Sequence, residues 1–137
     1  MTAVVDTNVI AYLLLGTPQY VDEAKAFVSS LGRAKAPGLW EAELANVVWM
    51  AARHNLITID DAIHRLTLAA ALQIETVPNR ALWQGALLRA HQSGIAVYDT
   101  LFVELAAREG IPLATFDKAL LKAFPKIAAR PAALTKK

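Results

Sequence analysis

The chain contains no cysteine. Disulfides, thiolate nucleophiles and Cys-based zinc sites are therefore excluded, and a reducing, cytoplasmic setting is expected. No apolar run approaches the roughly 18–20 residues that a membrane-spanning helix needs, so no membrane association is expected. The first residues show no basic stretch leading into an apolar one, and no export signal is expected. Neither a P-loop nor a Gly-x-Gly-x-x-Gly pattern occurs, which leaves nucleotide cofactors without a cradle. No Ser-His-Asp or Cys-His set is available for covalent catalysis. His54, His64 and His91 form no ligand pair and read as surface residues near helix ends or on polar helix faces. Repeats, low-complexity segments and linkers are also lacking, so residues 1–137 read as one domain.

What the chain does have is apolar character. Hydrophobic residues make up 55% and mean hydropathy is +0.35, enough for a dense core and for an apolar surface buried against a partner. Net charge is only +2, but it is unevenly placed. From Lys118 onward come Lys118, Lys122, Lys126, Arg130, Lys136 and Lys137 with no acid among them. This segment, 118–137, reads as a short helix and a basic tail, with Lys136 and Lys137 simply solvated.

Apolar stretches alternate with helical patterns almost throughout, the mark of an α/β fold with a parallel sheet. Residues 3–5 read as a buried strand and Thr7–Leu15 as a helix. Thr17 as N-cap with Pro18 at the first helical position predicts a second helix ending at Gly32, with Ala24, Phe27, Val28 and Leu31 facing inward. A weak strand at 35–37 precedes a helix over 38–54. Thr58-Ile-Asp-Asp61 is an acidic capping box, opening a helix with Ile63, Leu66 and Ala70 on one face. Strand 73–77 follows, then a helix from Pro78-Asn79 to Gly94 carrying Leu82, Ala86 and Ala90. A short apolar piece leads to Asp99 and a helix with Leu101, Phe102 and Leu105, stopped by Gly110. Pro112–Thr115 is the last clear strand, and a short helix spans 118–123.

Three aspartates occupy comparable places in this pattern. Asp6, Asp99 and Asp117 each follow an apolar stretch and precede a helix. Helix capping accounts for any one of them, and one carboxylate oxygen can cap while the other binds a cation. Glu43 resists that explanation. It shares a helical row with Trp40, Asn46, Val47 and Met50, where a charge needs a partner or a cation. Glu41 lies about 200° around the helix and reads as exposed. Ligands of open α/β sheets bind at the carboxyl ends of the strands. Four acids gathered there would repel one another without a cation, and all-oxygen donors select Mg²⁺ or Mn²⁺.

Such a site suits phosphodiester hydrolysis. Neutralising four of the 12 acids against 14 Lys and Arg leaves the rest of the surface near +6, which favours a polyanion. Thr7, Asn8, Thr100 and Thr115 lie beside the acids, where they could orient carboxylates, although capping and turn chemistry explains each alone. Trp40, Trp49 and Trp83 could stack on bases or hold a dimer; core packing is the simpler role for each. An aspartyl-phosphate site of the haloacid-dehalogenase kind would want an acid where Asn8 stands.

Taken in order, Val4-Val-Asp-Thr-Asn-Val-Ile10, Glu43-Leu-Ala-Asn-Val47, Tyr98-Asp-Thr-Leu-Phe-Val-Glu-Leu-Ala106 and Leu113-Ala-Thr-Phe-Asp117 resemble a PIN domain, most closely the VapC-type toxins of prokaryotic toxin–antitoxin pairs. The resemblance spans Ala3 to about Leu121. It implies a Rossmann-like α/β/α sandwich with a central parallel sheet of about five strands. It also implies a Mg²⁺- or Mn²⁺-dependent endoribonuclease with Asp6, Glu43, Asp99 and Asp117 as the metal-binding catalytic acids, supported by Asn8, Thr115 and Thr7. Cleavage in such enzymes uses metal-activated water and leaves a 5′-phosphate. The implied partners are an RNA substrate, a small antitoxin whose C-terminal segment fills the groove, and a second copy in a homodimer. A module of the same fold that binds RNA or antitoxin without turnover is the alternative, and DNA cleavage a further one.

Overall fold

The structure is a computed structural model and describes residues 1–135. Lys136 and Lys137, the end of the expected basic tail, lie outside the described residues. Five strands form one sheet: β1 (Thr2–Val5), β2 (Arg33–Pro37), β3 (Glu75–Val77), β4 (Leu113–Ala114) and β5 (Ala128–Ala129). Their spatial order is β3-β2-β1-β4-β5 and every pairing is parallel. Val4 is the pivot, in register with Lys35 on one side and Leu113 on the other. From β1 the chain winds outward through β2 and β3, then returns to place β4 and β5 on the opposite side. The reversal leaves a crevice beyond the carboxyl ends of β1 and β4, where such sheets bind ligands.

Helices supply the outer layers: α1 (Thr7–Leu15), α2 (Val21–Ser30), α3 (Leu39–Arg53), α4 (Ile59–Ala71), α5 (Trp83–Ser93), α6 (Val97–Glu109), α7 (Lys118–Ala123) and α8 (Pro131–Leu134), with a 3₁₀ turn at Asn79–Ala81 before α5. α6 runs against β1, β2 and β4 and packs on α5. Its residues from Thr100 to Ala106 are therefore all buried, Glu104 included. The core fills with Val4, Val5, Phe27, Leu44, Phe102 and Leu113. No helix among the described residues is long and apolar enough to cross a membrane.

Several expectations change here. α2 begins at Val21 and not at Thr17-Pro18, because Tyr20 N and Val21 N both bond Thr17 O and close a turn first. The apolar piece before Asp99 is not a strand; the fifth strand is the alanine pair 128–129. Thr58 does cap α4, accepting from Asp61 N at 3.0 Å. The inward stripe of α4 is Ala62, Leu66 and Ala69, whereas Ile63 is 58% exposed. Trp40 is a core residue, but Trp49 and Trp83 are about half exposed, each with an arginine (Arg53, Arg80) over its ring. His54, His64 and His91 are all exposed, as expected.

Candidate metal-carboxylate site

Asp6, Glu43, Asp99 and Asp117 come from four separate elements and line one pocket of about 290 Å³. Asp6 is the first residue past β1, in the N-cap position of α1, yet its side chain makes no capping bond. Its Oδ2 instead accepts from Thr115 Oγ1 at 2.7 Å and from Asn8 Nδ2 at 3.4 Å. Asn8 Oδ1 accepts from Phe116 N at 3.3 Å, and Thr115 Oγ1 accepts from Asp117 N at 3.0 Å. The loops after β1 and β4 are thus laced together beneath the acids.

Asp117 does cap, as its position allowed. Its Oδ1 accepts from Ala119 N and Leu120 N, at 2.8 and 3.2 Å. Glu43 sits on the rim of α3, beside the buried row Trp40, Leu44, Val48 and Ala51, and its Oε1 accepts from Thr7 Oγ1 at 2.7 Å. Asp6, Glu43 and Asp117 therefore each have one oxygen tied down and the other without a partner among the described residues. Asp99 differs from expectation: it lies inside the first turn of α6, not behind a strand. Thr100 is no support for the site either. It is buried, and its hydroxyl donates to Ala86 O at 2.7 Å, joining α6 to α5.

The electrostatics are unbalanced. Among the described residues no lysine, arginine or histidine lines the pocket. Asp6 is 6% exposed, and burial, opposed by the Thr115 hydrogen bond and reinforced by Asp99 and Glu43, pushes its carboxyl from 3.8 up to about 7. Burial also pushes up Glu43, with the Thr7 bond opposing and Asp99 adding, and it pushes up Asp99, with Asp117 adding. Carboxyls in this condition gain from a bound cation. Side chains as they stand surround the pocket without closing on a point: among the described residues no three acids are grouped tightly enough to hold one ion. The fit to a metal therefore rests on the donors, four acids with untied oxygens and no countercharge, and these suit a hard divalent cation.

Two lining residues, Ala11 and Tyr12, were missed from the sequence, and Tyr12 is the one with a polar group. Tyr12 faces the same pocket, one helical turn beyond Asn8 on α1. The four-residue step from Asn8 was the available signal.

Comparison with known proteins bears on the family and the fold. Residues 3–127 match the PIN domain family model. Ribonuclease VapC3 of Pyrobaculum aerophilum is 30% identical over 131 residues, covering 93% of this chain and 98% of its own length. Among solved structures, PAE2754 from Pyrobaculum aerophilum superposes with a TM-score of 0.71 at 20% identity, covering 98% of this chain and 93% of that one. VapBC2 from Rickettsia felis, crystallised with a DNA fragment from their promoter, gives 0.66 at 16% identity, covering 95% of this chain and 98% of that one. At those identities the two structures speak for the fold alone. The family match over nearly the whole chain settles membership, and the chain belongs to the PIN domain family.

Proposed function

We propose that this protein is a divalent-metal-dependent endoribonuclease, the toxin of a toxin–antitoxin pair, and that Mg²⁺, or Mn²⁺ in its place, works with Asp6, Glu43, Asp99 and Asp117. The observation that carries the proposal is the pocket that these four carboxylates line, with no basic residue in its walls among the described residues. A full-length relative named a ribonuclease supports the substrate class. The proposed partners are RNA, a small cognate antitoxin and a second copy of the chain.

When bound, the ion supplies Lewis-acid polarisation of a phosphoryl oxygen and acidifies water. The chain's own residues set the frame for that chemistry. Thr115 and Asn8 hold Asp6 by Oδ2 and leave Oδ1 without a partner among the described residues; Thr7 does the same for Glu43 through Oε1. The backbone of α7 fixes Asp117 by Oδ1. Asp6 must release its proton for the site to load, so metal affinity should rise with pH up to about 7.

Purified protein with Mn²⁺ should degrade a generic single-stranded RNA faster than the matching DNA, and EDTA should stop it. Asp99→Asn should abolish cleavage with the fold intact. Undiminished cleavage by that variant would refute the site assignment. RNA binding by the wild type without turnover would instead favour a binding module.

A further inference from the structure

We infer that Tyr12 is a substrate-positioning residue, its phenol hydroxyl donating a hydrogen bond to a non-bridging oxygen of an RNA phosphate held at the carboxylate pocket. The inference rests on the ribonuclease reading above. A phosphate oxygen can only accept hydrogen bonds, and carboxylates have none to give. An RNA strand entering a pocket walled by acids therefore needs donors as well as a cation.

Three side chains on the wall can donate: Thr7, Asn8 and Tyr12. The first two are already engaged. Thr7 donates to Glu43 at 2.7 Å, and Asn8 lies 3.4 Å from both Asp6 and Thr115. Of the three, only the Tyr12 hydroxyl has no hydrogen-bond partner among the described residues.

Its ring is held still. Tyr20 stacks on it with centroids 4.4 Å apart, and Phe116 meets it edge-on at 5.3 Å. Arg130 lies over Phe116 at 4.8 Å and is pinned by Glu23 at 2.6 Å. A donor fixed this way has already given up the rotamer freedom that binding would otherwise cost. Phenylalanine would make the same ring contacts, so packing leaves the hydroxyl unexplained. Phosphate contacts of this kind set register and read no sequence.

Tyr12→Phe tests the hydroxyl alone. Wild type and variant are compared by anisotropy on a fluorescein-labelled single-stranded RNA of mixed sequence with Ca²⁺, and by cleavage of the same RNA with Mn²⁺. The expected result is Kd and KM raised about ten-fold, the size of one hydrogen bond to a charged acceptor, with kcat and Tm unchanged. Equal Kd and KM in the two proteins would overturn the inference. So would a loss confined to kcat, which would place the hydroxyl in the chemical step, or a loss accompanied by a lowered Tm, which would make it structural. If wild type binds this RNA but does not cleave it, a Tyr12→Phe binding defect still supports the contact while the ribonuclease reading fails. If wild type does not bind it, both are overturned.

Discussion

Replacing Asp6 by asparagine should stabilise the metal-free protein while destroying its activity, and the gain should grow with pH. The carboxyl of Asp6 ionises near 3.8 in ordinary surroundings and near 7 in the native pocket. Between those values the unfolded chain has lost a proton that the native chain keeps, so rising pH progressively favours unfolding. At about 1.4 kcal/mol per pH unit, the interval amounts to about 4 kcal/mol at and above neutrality. Asparagine removes that penalty at nearly constant volume. Its amide oxygen can take the place of Oδ2 and accept from both Thr115 and Asn8, but the new NH2 in the place of Oδ1 is a donor without a partner there, which forfeits about 1 kcal/mol. A net gain of about 2–3 kcal/mol is expected at pH 8, falling toward zero or slightly below near pH 4, where both side chains are neutral.

Urea unfolding of both proteins in EDTA at several pH values measures this directly. Millimolar Mg²⁺ should then stabilise the wild type more than the variant and narrow the difference, because the ion binds the ionised native site and not the unfolded chain. A stability difference that does not change with pH would refute the reasoning, because it would mean that Asp6 is not held protonated by burial. An Asn variant less stable than wild type in EDTA at pH 8 would refute it equally.

Two further outcomes follow from packing. A Cβ at Gly85 would stand 2.3–2.6 Å from the carboxylate of Glu104, which Arg89 and Arg108 hold at 2.8 and 2.6 Å, so Gly85→Ala should cost about 2–3 kcal/mol by urea unfolding; an unchanged midpoint would show that Glu104 is free to move. Trp83, Leu87 and Leu88 are each at least half exposed on α5, an apolar face that suits the proposed homodimer, and Leu88→Glu should convert a dimer mass in light scattering to a monomer mass; a wild-type monomer at micromolar concentration would remove the dimer itself.

The alternation of strands and helices was legible because β1, α1 and α3 are long or strongly patterned enough to declare themselves. β5 was not, because it is two alanines whose only strand-like property is the pairing that β4 provides. The apolar piece before Asp99 misled for a related reason. Val97 already belongs to α6, whose residues 100–106 are all buried, and a helix buried all round loses the periodicity that marks it. Trp49 and Trp83 carried no sign of exposure, since a large aromatic residue reads as core unless the surface it serves is known.

The site depended on a subtler ambiguity. Capping and cation binding were rival explanations for each aspartate, and the structure divides them residue by residue. Asp117 caps with one oxygen and keeps the other. Asp6 stands in a cap position and spends its bonded oxygen on side chains from another loop instead. Asp99 sits within the first turn of its helix and makes no capping bond, so the capping explanation fails for it. Local sequence can assign a cap, because a cap is satisfied within three residues. It cannot assign a shared charge, because the burial that chiefly raises the Asp6 pKa, and the Asp99 and Glu43 charges that add to it, depend on elements far along the chain. That long-range cost is also the most direct physical sign of function here. A fold selected for stability alone would have replaced such an acid, and Asp6→Asn measures how much stability the chain forgoes by keeping it.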